Sequence, residues 1–181
     1  MPIRPGMHRL GPENATLQVK TYREGLASKA GHDLILDVTR WEATVDVLEN
    51  WAQSSVELSA EPRSLQVREG LGGVKPLTDR ERTEILKNID QKVLGRAPIR
   101  YRSTALELGE GGRLHGRGEL EMVGNARPVS FELRLGSDGT VTGGVSLAQS
   151  EWGIRPYKGV MGALKVQDVI EVVIDARLPA D

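Results

Sequence analysis

Apolar and polar residues alternate along most of this chain, and a period of two is typical of a β-strand with one face on a core. In the first such segment, Leu17 and Val19 alternate with Gln18 and Lys20. Turn sequences rich in Gly, Pro, Asn and Asp separate the alternating segments. We therefore expect about eight or nine strands at hairpin spacing, over residues 16–23, 34–38, 41–47, 56–67 with a break at Pro62, 99–108, 114–122, 129–135, 141–147 and 170–178.

One segment, residues 78–95, has the spacing of a helix instead. Its apolar residues recur every three or four positions and form one stripe: Ile85, Leu86, Ile89, Val93 and Leu94. Thr78 and Glu81 form a capping-box sequence at its start, and Gly95 suits the left-handed conformation that ends many helices. The chain is thus expected to be all-β with one inserted α-helix, a pattern typical of closed barrels and sandwiches.

Composition narrows the classes of function. The chain has 181 residues, no Cys, three His and a net charge of −1, which argues against metal or thiol chemistry and against nucleic acid as a partner. Aromatic residues make up only 4% of the chain, too few for a base-stacking surface. No segment reads as a signal peptide or a membrane span. We expect one cytoplasmic domain over residues 1–181, with 1–14 as an extended N-terminal segment.

Six short segments follow one another in a recognisable order. They are residues 31–34 (Gly-His-Asp-Leu), 41–46 (Trp-Glu-Ala-Thr-Val-Asp), 98–103 (Pro-Ile-Arg-Tyr-Arg-Ser), 116–120 (Gly-Arg-Gly-Glu-Leu), 127–133 (Arg-Pro-Val-Ser-Phe-Glu-Leu) and 150–154 (Ser-Glu-Trp-Gly-Ile). With the closing strand, this set resembles the YceI-like family, also called the polyisoprenoid-binding protein family. The resemblance implies a closed, lipocalin-like antiparallel barrel of about eight strands. It also implies an elongated apolar interior that holds an isoprenoid chain, as in isoprenoid quinones or polyprenyl phosphates.

The inward positions of such a barrel are the candidate ligand contacts. They are Leu36, Trp41, Val45, Tyr101, Leu120, Phe131, Leu133 and Val145. A filled core gives the same alternation, so the pattern alone leaves core and pocket open. Gly116, Gly118, Gly143 and Gly144 fall inside strands, where glycine marks either a bend of the strand or space for a ligand.

The segment 152–165 is long for a hairpin loop and mixes apolar, aromatic and cationic residues. As a lid over the barrel mouth, it would bring cations to the polar head of a lipid and shield the mouth with large apolar side chains. The cations are Arg155, Lys158 and Lys165, and the large side chains are Trp152, Tyr157 and Met161. The alternative is a packed surface loop with solvated lysines.

Catalytic chemistry has little support in the sequence. His32 and Asp33 are adjacent, but no nucleophile motif accompanies them, so an enzyme site at the barrel mouth is only a weak alternative. We expect a non-enzymatic protein, without a cofactor, that binds or carries an amphiphilic lipid with an isoprenoid-like tail. The other hypothesis is a structural or interaction protein with a filled interior, acting as a homodimer. Neither hypothesis includes stable membrane insertion.

Overall fold

Strands make up most of the computed structural model, which describes residues 3–180 apart from the side chain of Val160. The strands are β1 Gly6–Leu10, β2 Ala15–Thr21, β3 Arg23–Glu24, β4 Asp33–Val38, β5 Trp41–Val47, β6 Ser55–Ala60, β7 Leu65–Leu71, β8 Ile99–Leu108, β9 Arg113–Met122, β10 Asn125–Leu135, β11 Thr140–Ala148, β12 Lys158–Gly159, β13 Leu164–Val166 and β14 Val169–Arg177. Each segment that the alternation predicted as a strand contains at least one strand of the structure. The predicted break at Pro62 is present as a short turn, Pro62–Ser64, between β6 and β7.

Eleven strands form one strongly curled antiparallel sheet, in the order β1-β5-β6-β8-β9-β10-β11-β14-β2-β4-β7. The two outermost strands, β1 and β7, do not pair with each other in the described part of the chain. All-β structure with one helix is confirmed, but the predicted closed barrel of about eight strands is wrong, since the sheet is a half-barrel. The reason is the connection between β7 and β8, which forms a helix beside β7 instead of a closing strand.

Helix α1, Asp79–Asn88, begins at the predicted capping box. The Glu81 N–H donates to the Thr78 hydroxyl at 3.2 Å, and the Thr78 N–H donates to the Glu81 carboxylate at 2.8 Å. A wider π-helical turn, Ile89–Leu94, carries the helix to Gly95, whose φ is 63°. The predicted helical segment and its capping box are therefore confirmed, but Gly95, with a ψ of −144°, has a positive φ without the left-handed helical conformation expected of it. Within residues 3–180, no helix is long and apolar enough to cross a membrane.

The helix covers the exposed edge of β7. Nη1 of Arg82 donates to the Val67 carbonyl oxygen at 2.7 Å, which satisfies an acceptor that an edge strand leaves unpaired. At the far end of the helix, Arg63 makes a bidentate ion pair with Asp90, with N–O distances of 2.7 and 3.0 Å. These contacts fix the helix across the opening of the half-barrel, where its apolar stripe faces inward.

One end of the sheet is tightly packed, and we call this region the packed cluster. It includes Ile3, Leu10, Trp41, Val47, Trp51, Leu135, Ala176 and Leu178, all of them buried. The N-terminal segment contributes to it because β1 pairs with β5, and the Arg4 N–H donates to the Pro179 carbonyl at 3.1 Å. Part of the segment expected to be merely extended, 1–14, is thus a strand of the sheet, and its residues 1 and 2 lie outside the described residues.

The opposite end of the sheet carries long connections. There β12, β13 and β3 form the small second sheet, in which Lys165 lies opposite Lys158 and Glu24. The alternation did not reveal these strands, because two of them have only two residues and the third has three. This second sheet holds segment 158–166 beside the start of β4.

Candidate ligand cavity

The curled sheet and helix α1 enclose a cavity of about 550 Å³. The sheet supplies inward aliphatic side chains such as Val19, Leu58 and Val172, and the helix supplies Ile85 and Ile89. These five side chains are only partly buried, because they face the cavity instead of one another. The volume lies within the range of roughly 300–1,000 Å³ that is usual for small-molecule sites.

Two aromatic rings lie against glycines in the cavity wall. The ring centroids of Tyr101 and Phe131 are 5.7 Å apart, and β9 runs between their strands. A Cβ on Gly116 would lie 2.2 Å from Cζ of Phe131, and a Cβ on Gly118 would lie 2.5 Å from the Tyr101 hydroxyl oxygen. These two glycines therefore make room for the rings, a role that the sequence analysis did not consider when it weighed bends against ligand space.

Seven of the eight predicted wall residues line the cavity: Leu36, Val45, Tyr101, Leu120, Phe131, Leu133 and Val145. The structure does not bring the eighth, Trp41, to the cavity. Trp41 stands at the start of β5 opposite Ala60, and its large ring is buried in the packed cluster. Inward positions of the strands thus include both cavity wall and filled core, and the alternation of apolar residues does not distinguish the two.

Of the predicted contacts in segment 152–165, Tyr157 lines the cavity and Trp152, Arg155 and Met161 do not. The indole N–H of Trp152 donates to the Leu120 carbonyl at 2.8 Å, which anchors the buried ring among residues such as Met122. Arg155 and Met161 project into solvent. The segment is thus divided between core, wall and surface, an arrangement between the two alternatives of a lid and a packed surface loop.

The cavity opens at the end of the sheet that carries the long connections. Three segments meet there, 22–32, 71–77 and 155–166, and together we call them the mouth. Every Lys, Arg and His that lines the cavity in the described part of the chain lies in the mouth: Arg23, His32, Lys75 and Lys165. Lys165 was named from the sequence as a cation of segment 152–165, and His32 only as part of the weak enzyme alternative. Arg23 and Lys75 were missed, because they belong to segments distant along the chain.

The cations of the mouth differ in how far they are already engaged. The Arg23 guanidinium donates to the Gly31 carbonyl at 2.5 Å and lies 3.8 Å from the Asp33 carboxylate. Lys75 pairs with Glu81 at 3.2 Å. Lys165 makes no ion pair within residues 3–180 and is half-buried, so its ammonium group is the one best placed to meet an anionic group at the mouth.

His32 and Asp33 do not face each other as an acid–imidazole pair. Nε2 of His32 lies 2.7 Å from the Lys75 carbonyl oxygen, and the Asp33 carboxylate accepts the Arg23 N–H at 2.8 Å. Both side chains therefore tie mouth segments together. This arrangement gives no support to the weak alternative of an enzyme site at these two residues.

Burial and hydrogen bonding shift the pKa values of three groups near the cavity. Burial raises the pKa of Tyr101 to about 12, so its hydroxyl stays protonated at neutral pH. The hydrogen bond that Tyr22 donates to Glu171 raises the pKa of Tyr22. Hydrogen bonds from Thr78, with a smaller contribution from Lys75, hold the pKa of Glu81 at about 2. None of these groups is poised to exchange a proton near pH 7.

The fold and the cavity define a class of protein: a curled antiparallel β-sheet that encloses an apolar space with a basic mouth. The family model of the YceI-like domain matches residues 14–178. The chain belongs to the YceI-like family, which is known as a family of polyisoprenoid-binding barrel proteins and is generally a family of binding proteins. The family resemblance carried by the ordered segments is confirmed.

Solved structures support the same fold. Burkholderia cenocepacia BcnA is similar with a TM-score of 0.66 and 13% identity, over 89% of this chain and 94% of that chain. A mutant of the CJ YceI protein has a TM-score of 0.54 and 11% identity, over 81% and 84% of the two chains. Another mutant of that protein, with a monobromobimane guest, has a TM-score of 0.53, 10% identity and the same coverage. A comparison with curated protein sequences finds no match.

Proposed function

We propose that this protein binds and carries an amphiphilic lipid whose isoprenoid-like tail occupies the cavity. The observation that supports this proposal best is the cavity of about 550 Å³ with its aliphatic wall. Protein interiors are normally packed to the density of organic crystals, so an unfilled volume of this size is unusual for a purely structural core. Membership of the YceI-like family agrees with the proposal.

The two ends of the cavity suggest how the lipid is oriented. At the packed cluster the cavity ends against apolar residues such as Leu10, Trp51 and Leu178, whereas the lining cations lie at the mouth. A tail directed toward the packed cluster buries apolar surface at about 25 cal/mol per Å². The head group then lies beside Lys165 and Arg23, whose charges suit a polyprenyl phosphate and whose N–H groups suit the carbonyls of an isoprenoid quinone.

Homodimerisation is the second candidate, and one observation favours it. Strand β1 pairs only with β5 among the described strands, and Met7 on this edge is exposed. An unpaired edge with an apolar side chain is a site where a second copy can add a strand. This candidate predicts a mass in solution that rises with protein concentration, and ligand binding does not exclude it.

The experiment that tests ligand binding uses two neighbouring valines of β14. Val172 lines the cavity and Val173 does not. Val172→Trp fills the cavity with an indole ring, whereas Val173→Trp adds the same ring on the other face of the strand. We expect Val172→Trp to weaken the binding of a fluorescent apolar probe at least tenfold and Val173→Trp to leave it near the wild-type value.

The result is read as a ratio of the two dissociation constants. Equal losses in both variants, with circular dichroism showing both folded, would place probe binding outside the cavity. Failure of the wild-type protein to bind the probe, or any polyprenyl phosphate or isoprenoid quinone, would remove the proposed function altogether.

A further inference from the structure

Four large apolar side chains project into solvent around the mouth. Leu26 and Met161 are fully exposed, Val74 is 79% exposed and Leu71 is 44% exposed. Burying such side chains is worth about 1.5–3 kcal/mol each, so a cluster of exposed ones around an opening suggests a surface that is covered in use. Leu71 ends strand β7 and the other three lie in connections, and none of the four lines the cavity.

Contacts between the three mouth segments bring these side chains to one end of the molecule. The Ala27 N–H donates to the Ala163 carbonyl at 2.9 Å, which holds the loop of Leu26 against the loop of Met161. A Cβ on Gly73 would lie 2.5 Å from Nε2 of His32, so the loop of Val74 packs on the segment that follows Leu26. The segments that carry the exposed side chains are therefore neighbours at the mouth end of the molecule.

Charge is concentrated at the same place. The mouth segments hold six cationic residues and one carboxylate: Arg23, Lys29, Lys75, Arg155, Lys158 and Lys165, with Glu24. Asp33 and Glu81 lie against Arg23 and Lys75, so the net charge at this end is +3. The whole chain has a net charge of −1, so the remainder carries −4. The near-zero total therefore hides an asymmetry of charge between this end and the rest of the chain.

We propose that the mouth docks reversibly on the surface of an anionic lipid bilayer, so that the cavity opens toward the membrane. The side chains of Leu26, Val74 and Met161 enter the headgroup region, and the surrounding cations meet lipid phosphates, which is the combination that peripheral membrane binding requires. A bilayer fits this surface better than a folded partner does, because Leu26, Val74 and Met161 each lie within three residues of a lysine instead of forming one continuous apolar patch free of charge.

Co-flotation with vesicles tests the docking directly, using the full chain without added ligand. We expect the wild-type protein to float with vesicles of phosphatidylcholine mixed with phosphatidylglycerol and to stay behind with phosphatidylcholine alone. High salt should release it, because screening shortens the reach of surface charge. Lys29→Gln removes one cation and should weaken binding about fivefold.

Two double variants that replace exposed apolar residues, one at the mouth and one elsewhere, test whether vesicle binding depends on the mouth. Leu26→Ser with Val74→Ser should weaken vesicle binding at least tenfold, whereas Met7→Ser with Leu48→Ser, which changes exposed apolar residues near the packed cluster, should leave it unchanged. Probe binding in the absence of vesicles should stay at the wild-type value in both double variants, so a failure of docking is distinguished from a failure of ligand binding.

Three results would overturn this docking proposal. One is a wild-type protein that does not float with the anionic vesicles. Another is an equal loss of vesicle binding in the control double variant. The third is a change of mass in solution caused by Leu26→Ser with Val74→Ser, because it would identify the mouth as a contact between two copies of this chain.

Discussion

Two regions of the same curled sheet have the same alternating sequence and different interiors. In the packed cluster, inward side chains such as Val47 and Leu135 are almost completely buried. Leu133 and Val172 touch the edge of this cluster but also line the cavity, and they are only partly buried. The packed cluster is filled by residues outside the alternating strands, namely Ile3 and Trp51. In the described part of the chain, the middle of the sheet is not filled in this way, and the cavity lies there.

This difference shows what alternation does and does not specify. A period of two determines which face of a strand is apolar, but it does not determine what lies opposite that face. Here the answer depends on the residues outside the strands that fill the packed end, and on the helix that lies along the open side of the half-barrel beside β7. Whether an inward residue is core or wall is therefore a property of the assembled sheet.

We expect the largest difference in the free energy of unfolding between alanine variants of two leucines of β10. Leu135 is 4% exposed in the packed cluster, and Leu133 lines the cavity on the same face of the same strand. Leu135→Ala should lower the free energy of unfolding by about 3–4 kcal/mol, because it creates a new cavity in a packed region. Leu133→Ala enlarges a cavity that is already present and should cost about 1–2 kcal/mol.

Urea denaturation measures both changes in the free energy of unfolding. Two equal losses would mean that the cavity wall is packed as tightly as the packed cluster, and the comparison between the two regions would fail.

A smaller effect concerns the glycines under the aromatic rings. In Gly116→Ala the new methyl group would lie 2.2 Å from Cζ of Phe131, so the ring has to move toward the cavity. We expect probe binding to weaken about tenfold, since overpacking of this kind costs roughly 1–3 kcal/mol. Adding Phe131→Leu should restore binding by making room again. Absence of rescue in the double variant would show that Gly116 does not act through the Phe131 ring.

The smallest effect is a pH dependence at the start of the helix that closes the cavity. Hydrogen bonds from Thr78 hold the pKa of Glu81 at about 2, below its ordinary value of 4.5. Because the folded-state pKa is the lower one, the stabilisation is complete above pH 4.5 and is lost as the pH falls toward 2. Glu81→Gln keeps a capping side chain without this titration.

The urea midpoints of the wild-type protein and of Glu81→Gln are measured near pH 6 and near pH 3. The difference between the two falls in midpoint gives the contribution of the Glu81 carboxylate. We expect the wild-type midpoint to fall slightly more on acidification than that of Glu81→Gln. Identical falls would show that the capping box contributes nothing to the stability of this wall.

Local features of the fold were predictable from sequence because each depends on neighbouring residues. The strand positions follow from alternation, and the helix follows from Thr78, Glu81 and Gly95, whose roles are fixed within one turn. Closure was not predictable, because it depends on the helix lying beside the edge of β7, where Arg82 satisfies the Val67 carbonyl. The short strands of the second sheet had too few residues to show a period.

The candidate site was predictable in its wall and not in its mouth. Inward residues such as Leu36 and Phe131 follow from strand periodicity once a barrel-like fold is assumed. Arg23 and Lys165 come together only because β3 pairs with β13, a contact between residues more than 140 positions apart in the sequence. Trp152 was misplaced because nothing in the sequence shows that its N–H finds the Leu120 carbonyl.

Native mass spectrometry of the purified protein shows whether the interior of this sheet holds a lipid. We expect the mass of the chain plus one amphiphile, either as purified or after incubation with polyprenyl phosphates or isoprenoid quinones, and the loss of that adduct in Val172→Trp but not in Val173→Trp. The mass of the chain alone under all of these conditions, from a protein shown to be folded, would contradict this expectation.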